Sequence, residues 1–345
     1  MPYRRILVRA TNWVGDAVMS LPAMEALRGR FPDAHIAILA RPSVADIYLR
    51  EPFADEVIPY RARRGWRGVG EQHDMARQLG RANFDCAILF QNAFEAAALV
   101  WMARIPERIG YDRDARRWLL TRAVAVPRAG EIPTHQRFYY LELLKRAGLI
   151  GSYPDDVAVK LAGAAAAAAR GRELFAQRGA GGPIIGVSPG AAFGGAKRWL
   201  PERFSETAVR LGRELQATVA VFGTREEAAL ASRVADAVAS HSIPVVNLAG
   251  QTSLRDFIDM AAACRLFLTN DSGSMHIASA LGVPTVVVFG PTDENATGPA
   301  GHAYAILREP VECAPCHRRE CPIDHRCMTR VSANQVAEAA LKLVR

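Results

Sequence analysis

Twice along this chain a short apolar run gives way to a stretch of helical periodicity, and the pattern then repeats. In the first half, residues 6–8, 35–39, 56–60 and 84–90 read as strands, with helices over 17–30, 44–50, 70–81 and 94–104. Apolar runs of that length bounded by polar turns suit buried strands, and strand–helix–strand order demands parallel pairing through right-handed crossovers. Residues 105–133, rich in arginine, carry no such pattern. A helix over 134–147 and an alanine run at 162–169, helical because alanine is the best helix former, lead into a restart. Strands at 184–188, 218–222, 245–248, 266–269 and 285–289 follow, and Ser332 caps a last helix reaching 344. The expectation is an α/β protein of two Rossmann-like, doubly wound domains, 1–165 and 166–345. Ligands should sit at the C-terminal ends of the strands, facing a central cleft.

The chain has 345 residues, half of them hydrophobic, which is enough for two such cores. No run approaches the roughly 18 apolar residues of a membrane-spanning helix. The basic opening Met1-Pro2-Tyr3-Arg4-Arg5 precedes too short an apolar stretch for a signal peptide, so a cytoplasmic location is expected. A net charge of +8, mostly surplus arginine, suits an anionic partner without choosing among nucleic acid, phosphorylated sugar and membrane surface. Solvated arginine faces account for part of it.

Several segments can carry chemistry. The first strand ends in Ala10-Thr11-Asn12-Trp13-Val14-Gly15-Asp16. A carboxylate beside a tightly turning glycine can serve as a general base, but Asp is also a preferred helix N-cap, and spacing alone favours the cap. Trp13 can stack on a sugar or fill a domain interface. In the second half, Ser188-Pro189-Gly190-Ala191-Ala192-Phe193-Gly194-Gly195-Ala196-Lys197-Arg198-Trp199 joins a strand to a helix. Small residues around a Lys-Arg pair suit a loop that closes on a diphosphate, a solvated surface lysine being the plainer alternative. The segment is not a Walker A loop.

Asn270-Asp271-Ser272-Gly273-Ser274-Met275-His276 runs from a strand into a helix of small residues. Backbone N–H groups at such a start, reinforced by the helix dipole, make an anion site. Ser272 as a hydrolytic nucleophile competes, without the Gly-x-Ser-x-Gly setting. His276 can meet a phosphate or the leaving group, or act as a structural hydrogen bonder. Thr292, in Gly290-Pro291-Thr292-Asp293-Glu294-Asn295, can meet ribose, phosphate or sugar hydroxyls, or mark a turn. Of six cysteines, Cys313, Cys316, Cys321 and Cys327 crowd together with His317 and His325 between them. They can ligate a structural zinc, although the spacing is not that of paired knuckles; free thiols, disulfides and an iron–sulfur cluster are the alternatives.

Taken together, Asn12-Trp13-Val14-Gly15-Asp16, Gln91-Asn92-Ala93-Phe94, the 190–199 loop and Asn270–His276 resemble the heptosyltransferases of glycosyltransferase family 9. The motifs keep the family's order over nearly the whole length. The resemblance implies a GT-B fold, the acceptor bound by domain one and ADP-heptose by domain two. It implies inverting transfer of L-glycero-D-manno-heptose to the first heptose of the lipopolysaccharide inner core, on heptosyl-Kdo2-lipid A, with Kdo2-lipid A itself as the alternative acceptor. By that pattern Asp16 is the base and Lys197 holds the donor diphosphate. Asp271, Ser272, Gly273, Ser274 and His276 match the ADP-binding segment, with Ser188, Gly190, Arg198 and Thr292 on the donor side. Asn12, Trp13 and Asn92 fall on the acceptor side. Glu95 departs from the pattern, since related sequences often carry a basic residue there.

Transfer then needs no metal cofactor, because Lys197 and the helix start can neutralise the departing diphosphate. Two arginine groups, Arg61, Arg63, Arg64 and Arg67, and Arg104, Arg108, Arg113, Arg116, Arg117 and Arg122, suit the carboxylates and phosphates of an inner core. Arg64, Arg113 and Arg116 are expected in the acceptor site, others against the inner face of the inner membrane. A sugar-nucleotide epimerase would share the fold but need more than one acid/base carboxylate. A nucleic-acid partner leaves the Asp-Ser-Gly-Ser helix start unexplained, and 8% aromatic residues offer no stacking platform. None is expected.

Overall fold

All the paired strands run parallel, as the strand–helix–strand order requires. The structure is a computed structural model that describes residues 3–61 and 66–345. Packing divides it into two units, Met1–Ala158 and Val159–Arg345.

In the first unit six strands form one sheet: β1 (Arg5–Arg9), β2 (His35–Ala40), β3 (Glu56–Pro59), β4 (Cys86–Leu89), β5 (Glu107–Tyr111) and β6 (Arg122–Val124), in the order β3-β2-β1-β4-β5-β6. β1 is central because Ile6, Leu7 and Val8 are wholly buried and can be covered on both faces. Ile6 lies opposite Ile36 on one side and Cys86 on the other. The chain winds outward through β2 and β3, then returns to lay β4 beside β1. That reversal leaves a crevice between the loops following β1 and β4, where doubly wound sheets bind ligands.

The second unit repeats the scheme with β7 (Ile184–Ser188), β8 (Thr218–Val221), β9 (Val245–Asn247), β10 (Leu266–Asn270), β11 (Thr285–Val288) and β12 (Tyr304–Leu307), ordered β12-β11-β10-β7-β8-β9. Its reversal falls between β7 and β10. The core beneath is built on Ile185, Val187, Trp199, Phe204, Val219, Leu268 and Met328. The C-terminal helix Ala333–Val344 starts at a reciprocal cap in which Gln335 N–H donates to Ser332 Oγ (3.2 Å) and Ser332 N–H to Gln335 Oε1 (2.8 Å).

The expected helix over 17–30 is two helices, Val14–Met19 and Leu21–Arg30. Ser20 Oγ turns back on Ala17 O at 2.7 Å, and Pro22 in the next first turn has no N–H to continue the ladder. The arginine-rich stretch contains β5 and β6, and β12 closes the other sheet. Among the described residues no helix is long and apolar enough to cross a membrane.

The helix Ala164–Ala176 meets the helix Leu254–Ala262 so closely that a Cβ on Gly171 would lie 2.0 Å from Asp259 O. Backbone must move to admit it. Gly171→Ala should therefore cost about 3 kcal/mol, at the upper end for overpacking, and lower the midpoint by roughly 5–10 °C in calorimetry. An unchanged midpoint would show that the two helices separate freely.

Candidate active site

The β7–β10 reversal brings together two loops that sequence spacing alone keeps apart. Lys197 ends a short 3-10 turn, Gly195–Lys197, after β7; Asp271 follows β10. Lys197 Nζ lies 2.5 Å from Asp271 Oδ2, with side chains 12% and 4% exposed. Thr292, from the loop after β11, donates its hydroxyl to the same oxygen at 2.6 Å. A largely desolvated pair with a third partner is a rigid, oriented cation. Phe193 backs it, its ring centre 4.9 Å from Nζ.

Asn270 ties the two loops. Its Oδ1 accepts from Trp199 N–H at 2.9 Å, and its Nδ2 donates to the carbonyls of Pro189 (2.8 Å) and Gly190 (3.3 Å). Trp199 is fully buried, so the far end of the loop is anchored in the core. Beside it runs a chain of hydroxyls. Ser274 Oγ donates to Ser188 Oγ at 2.9 Å and lies 2.7 Å from Ser272 Oγ; Thr269 Oγ1 is 3.2 and 3.1 Å from those of Ser272 and Ser274. Ser272 occupies the N-cap position of the helix Gly273–Ala280, but its side chain makes no cap bond. The hydroxyls are thus gathered at a helix start that attracts anions. His276 is buried in the first turns of that helix. Arg198 turns toward Ala191 O at 3.4 Å. Gly190 packs against Glu227: a Cβ there would fall 2.1 Å from the carboxylate, which would have to swing aside.

In the first unit the β1–β4 reversal gathers Asn12, Asp16 and Asn92. Trp13, 62% exposed, takes the N-cap position of the helix Val14–Met19, so Asp16 lies inside the first turn and is not the cap. Its Oδ1 accepts a hydrogen bond from Tyr140 at 2.9 Å. Burial first, and the neighbouring Asp16 charge second, push the Tyr140 hydroxyl well above its ordinary range, which keeps it a donor. Asn12 Oδ1 accepts from Arg9 Nη2 at 3.0 Å. Arg9 is buried at the end of β1, and burial lowers its pKa to about 10.

Asn92 is held from both ends of its amide. Nδ2 donates to Tyr139 Oη at 2.9 Å, and Oδ1 accepts from Arg116 Nη2 at 2.8 Å. Arg116 departs from the expectation of an acceptor-facing guanidinium. It is 0% exposed, its other nitrogens donating to Tyr111 O (3.0 Å) and Gln91 O (2.5 Å). A fork so occupied braces Asn92 instead of meeting a ligand. Arg113 is exposed and reaches Tyr139 Oη at 3.5 Å. Arg108 is spent on the carbonyls of Leu119 and Ile105, Arg122 on Glu107, and Arg117 on Asp112. Arg63, Arg64 and the Arg67 side chain lie outside the described residues.

Tyr139, Tyr140 and Arg9 were not singled out by sequence. Arg9 left a trace, a charge closing an apolar strand; the tyrosines, on the distant helix Arg137–Arg146, left none. Cys313 and Cys316 are exposed, Cys321 half-buried and Cys327 buried, all as free thiols. Among the described residues no group of three or more His, Cys, Asp or Glu is arranged to hold a metal ion.

Residues 72–326 match the family described as glycosyltransferase family 9 (heptosyltransferase). The chain is 30% identical over 313 residues to lipopolysaccharide heptosyltransferase 2 of Salmonella typhimurium, with 88% of each covered. It is 31% identical over 319 residues to lipooligosaccharide heptosyltransferase 2 of Haemophilus ducreyi, again with 88% of each covered. The solved structure of the E. coli ADP-heptose LPS heptosyltransferase II superposes with a TM-score of 0.83 at 27% identity, covering 99% of this chain and 98% of that one. A family match over most of the length, the two relatives and the paired Rossmann-like units together place the chain in glycosyltransferase family 9, the heptosyltransferases, with a GT-B fold.

Proposed function

We propose that the protein transfers L-glycero-D-manno-heptose, with inversion, from ADP-heptose to the first heptose of the lipopolysaccharide inner core, carried by heptosyl-Kdo2-lipid A. The observation that carries this reading is the identity with heptosyltransferase 2 enzymes, which runs through both units.

The chemistry then falls to named residues. Asp16 takes the proton of the acceptor hydroxyl as its oxygen bonds to the anomeric carbon. The bond from that carbon to the diphosphate oxygen breaks, and its electron pair leaves with ADP. Lys197 and the start of the helix Gly273–Ala280 stabilise the charge gathering on the diphosphate, so the step needs no metal. Asp271 and Thr292 keep the ammonium aimed. Ser188, Gly190, Arg198, Ser272, Ser274 and His276 complete the donor side; Asn12, Trp13, Asn92 and Arg113 serve the acceptor. The enzyme works in the cytoplasm at the inner face of the inner membrane. Its charge of +8 and its exposed Trp101 and Trp118 support peripheral contact with an anionic, amphipathic surface.

Incubation with ADP-heptose and acceptors bearing zero, one or two heptoses tests the reading. Transfer to the one-heptose acceptor alone is expected. Product only from the heptose-free acceptor would move the activity one step earlier in the core. Conversion of the donor sugar with no acceptor present would replace transfer by epimerisation.

A further inference from the structure

The transfer chemistry makes no use of the cysteine-rich segment between β12 and the helix Arg326–Thr329, yet that segment grips the turn bearing Lys197. Ala196 is held on both sides of its backbone: its N–H donates to Arg319 O at 2.8 Å, and its carbonyl lies 2.8 Å from His325 Nε2. A carbonyl can only accept, so that ring nitrogen carries the proton. Gly195 N–H donates to Glu320 Oε1 at 3.1 Å. Gly194, at φ +155°, admits no side chain, because a Cβ would lie 2.3 Å from Arg319 O.

The same segment reaches the loop that carries Thr292. Cys316 and His317 N–H both donate to Pro291 O, at 3.0 and 2.8 Å. A Cβ on Gly290 would lie 3.0 Å from Cys327 Sγ. Arg319 also stands over Phe193, 5.5 Å from the ring centre, on the ring that backs Lys197. A three-residue 3-10 turn cannot hold its own geometry, so its partners outside decide where the lysine points. His317 and His325 themselves adopt left-handed backbone (φ 55° and 56°), which persists only where surroundings over-determine it.

We propose that the 313–327 segment is a clamp on the donor loop, with His325 and Glu320 as positioning residues for Lys197. The inference rests on reading Lys197 as the cation that meets the donor diphosphate. ADP titration by calorimetry, with steady-state kinetics on ADP-heptose, tests it in the full chain. His325→Ala should weaken ADP binding and raise KM for ADP-heptose about tenfold, the worth of one well-placed hydrogen bond. kcat should fall as well, because Lys197 also meets the charge that builds in the transition state, while the acceptor KM should hold within about threefold. His325→Gln, which restores an N–H donor, should recover most of the loss. If His325→Ala fails to fold, Glu320→Ala reports on the same clamp through Gly195 and should show the same pattern. Wild-type ADP affinity in these variants, beside a Lys197→Ala protein that has lost it, would overturn the clamp and leave the donor reading standing. Undiminished ADP affinity in Lys197→Ala as well would overturn both.

Discussion

Asp16→Asn should lower kcat by about a thousandfold, the usual worth of a general base, while ADP affinity stays at the wild-type level. The substitution is chosen for what it keeps. An asparagine carbonyl still accepts from Tyr140 Oη, the 2.9 Å bond that fixes the side chain, and the residue still fits the first turn of its helix. Only charge and basicity disappear. Tyr140 makes the distinction sharp, because its buried hydroxyl remains protonated and cannot stand in as a base near neutral pH. Single-turnover transfer with labelled ADP-heptose, beside a thermal melt showing an intact fold, gives the answer. Turnover within tenfold of wild type would remove Asp16 from the proton path and return it to a structural role.

How far the sequence reveals such a site depends on the range of the interaction. β1, β4, β7 and β10 are built on short apolar runs buried on both faces, and the polar turns bounding those runs announce them. The segments that follow them carry Asn12, Asp16, Asn92, Lys197 and Asp271, and these stand out because polar residues come soon after a buried strand. β6 and β12 lie at sheet edges, are short and partly exposed, and carry no comparable signal. β5 is obscured by Glu107 and Arg108, whose side chains leave the sheet for Arg122 and for backbone carbonyls. Arg116 shows the limit most plainly. Local composition makes it one arginine among many, and only the fold reveals that the carbonyls of Gln91 and Tyr111 enclose it. The Asp16–Tyr140 bond spans 124 residues, and no local pattern encodes it.

Lys197 was legible as a candidate cation, but its bond to Asp271, 74 residues away, changes what its removal should do. Lys197→Met strips a nearly buried carboxylate of its counter-ion and leaves the Thr292 hydroxyl as a neutral partner. Breaking such a pair from one side costs about 3–5 kcal/mol of stability, so the single variant should melt well below wild type as well as lose activity. A fall in kcat/KM of about a thousandfold, roughly 4 kcal/mol of transition-state stabilisation, would then be confounded with partial unfolding. The double variant Lys197→Met/Asp271→Asn separates the two. With the buried charge gone, the melting midpoint should return most of the way, since neutral isosteres replace such pairs with small net loss. Activity and ADP affinity should not return, because no cation remains to meet the diphosphate. Recovery of both stability and turnover would mean that the pair serves only the fold, and that charge on the leaving ADP is neutralised elsewhere.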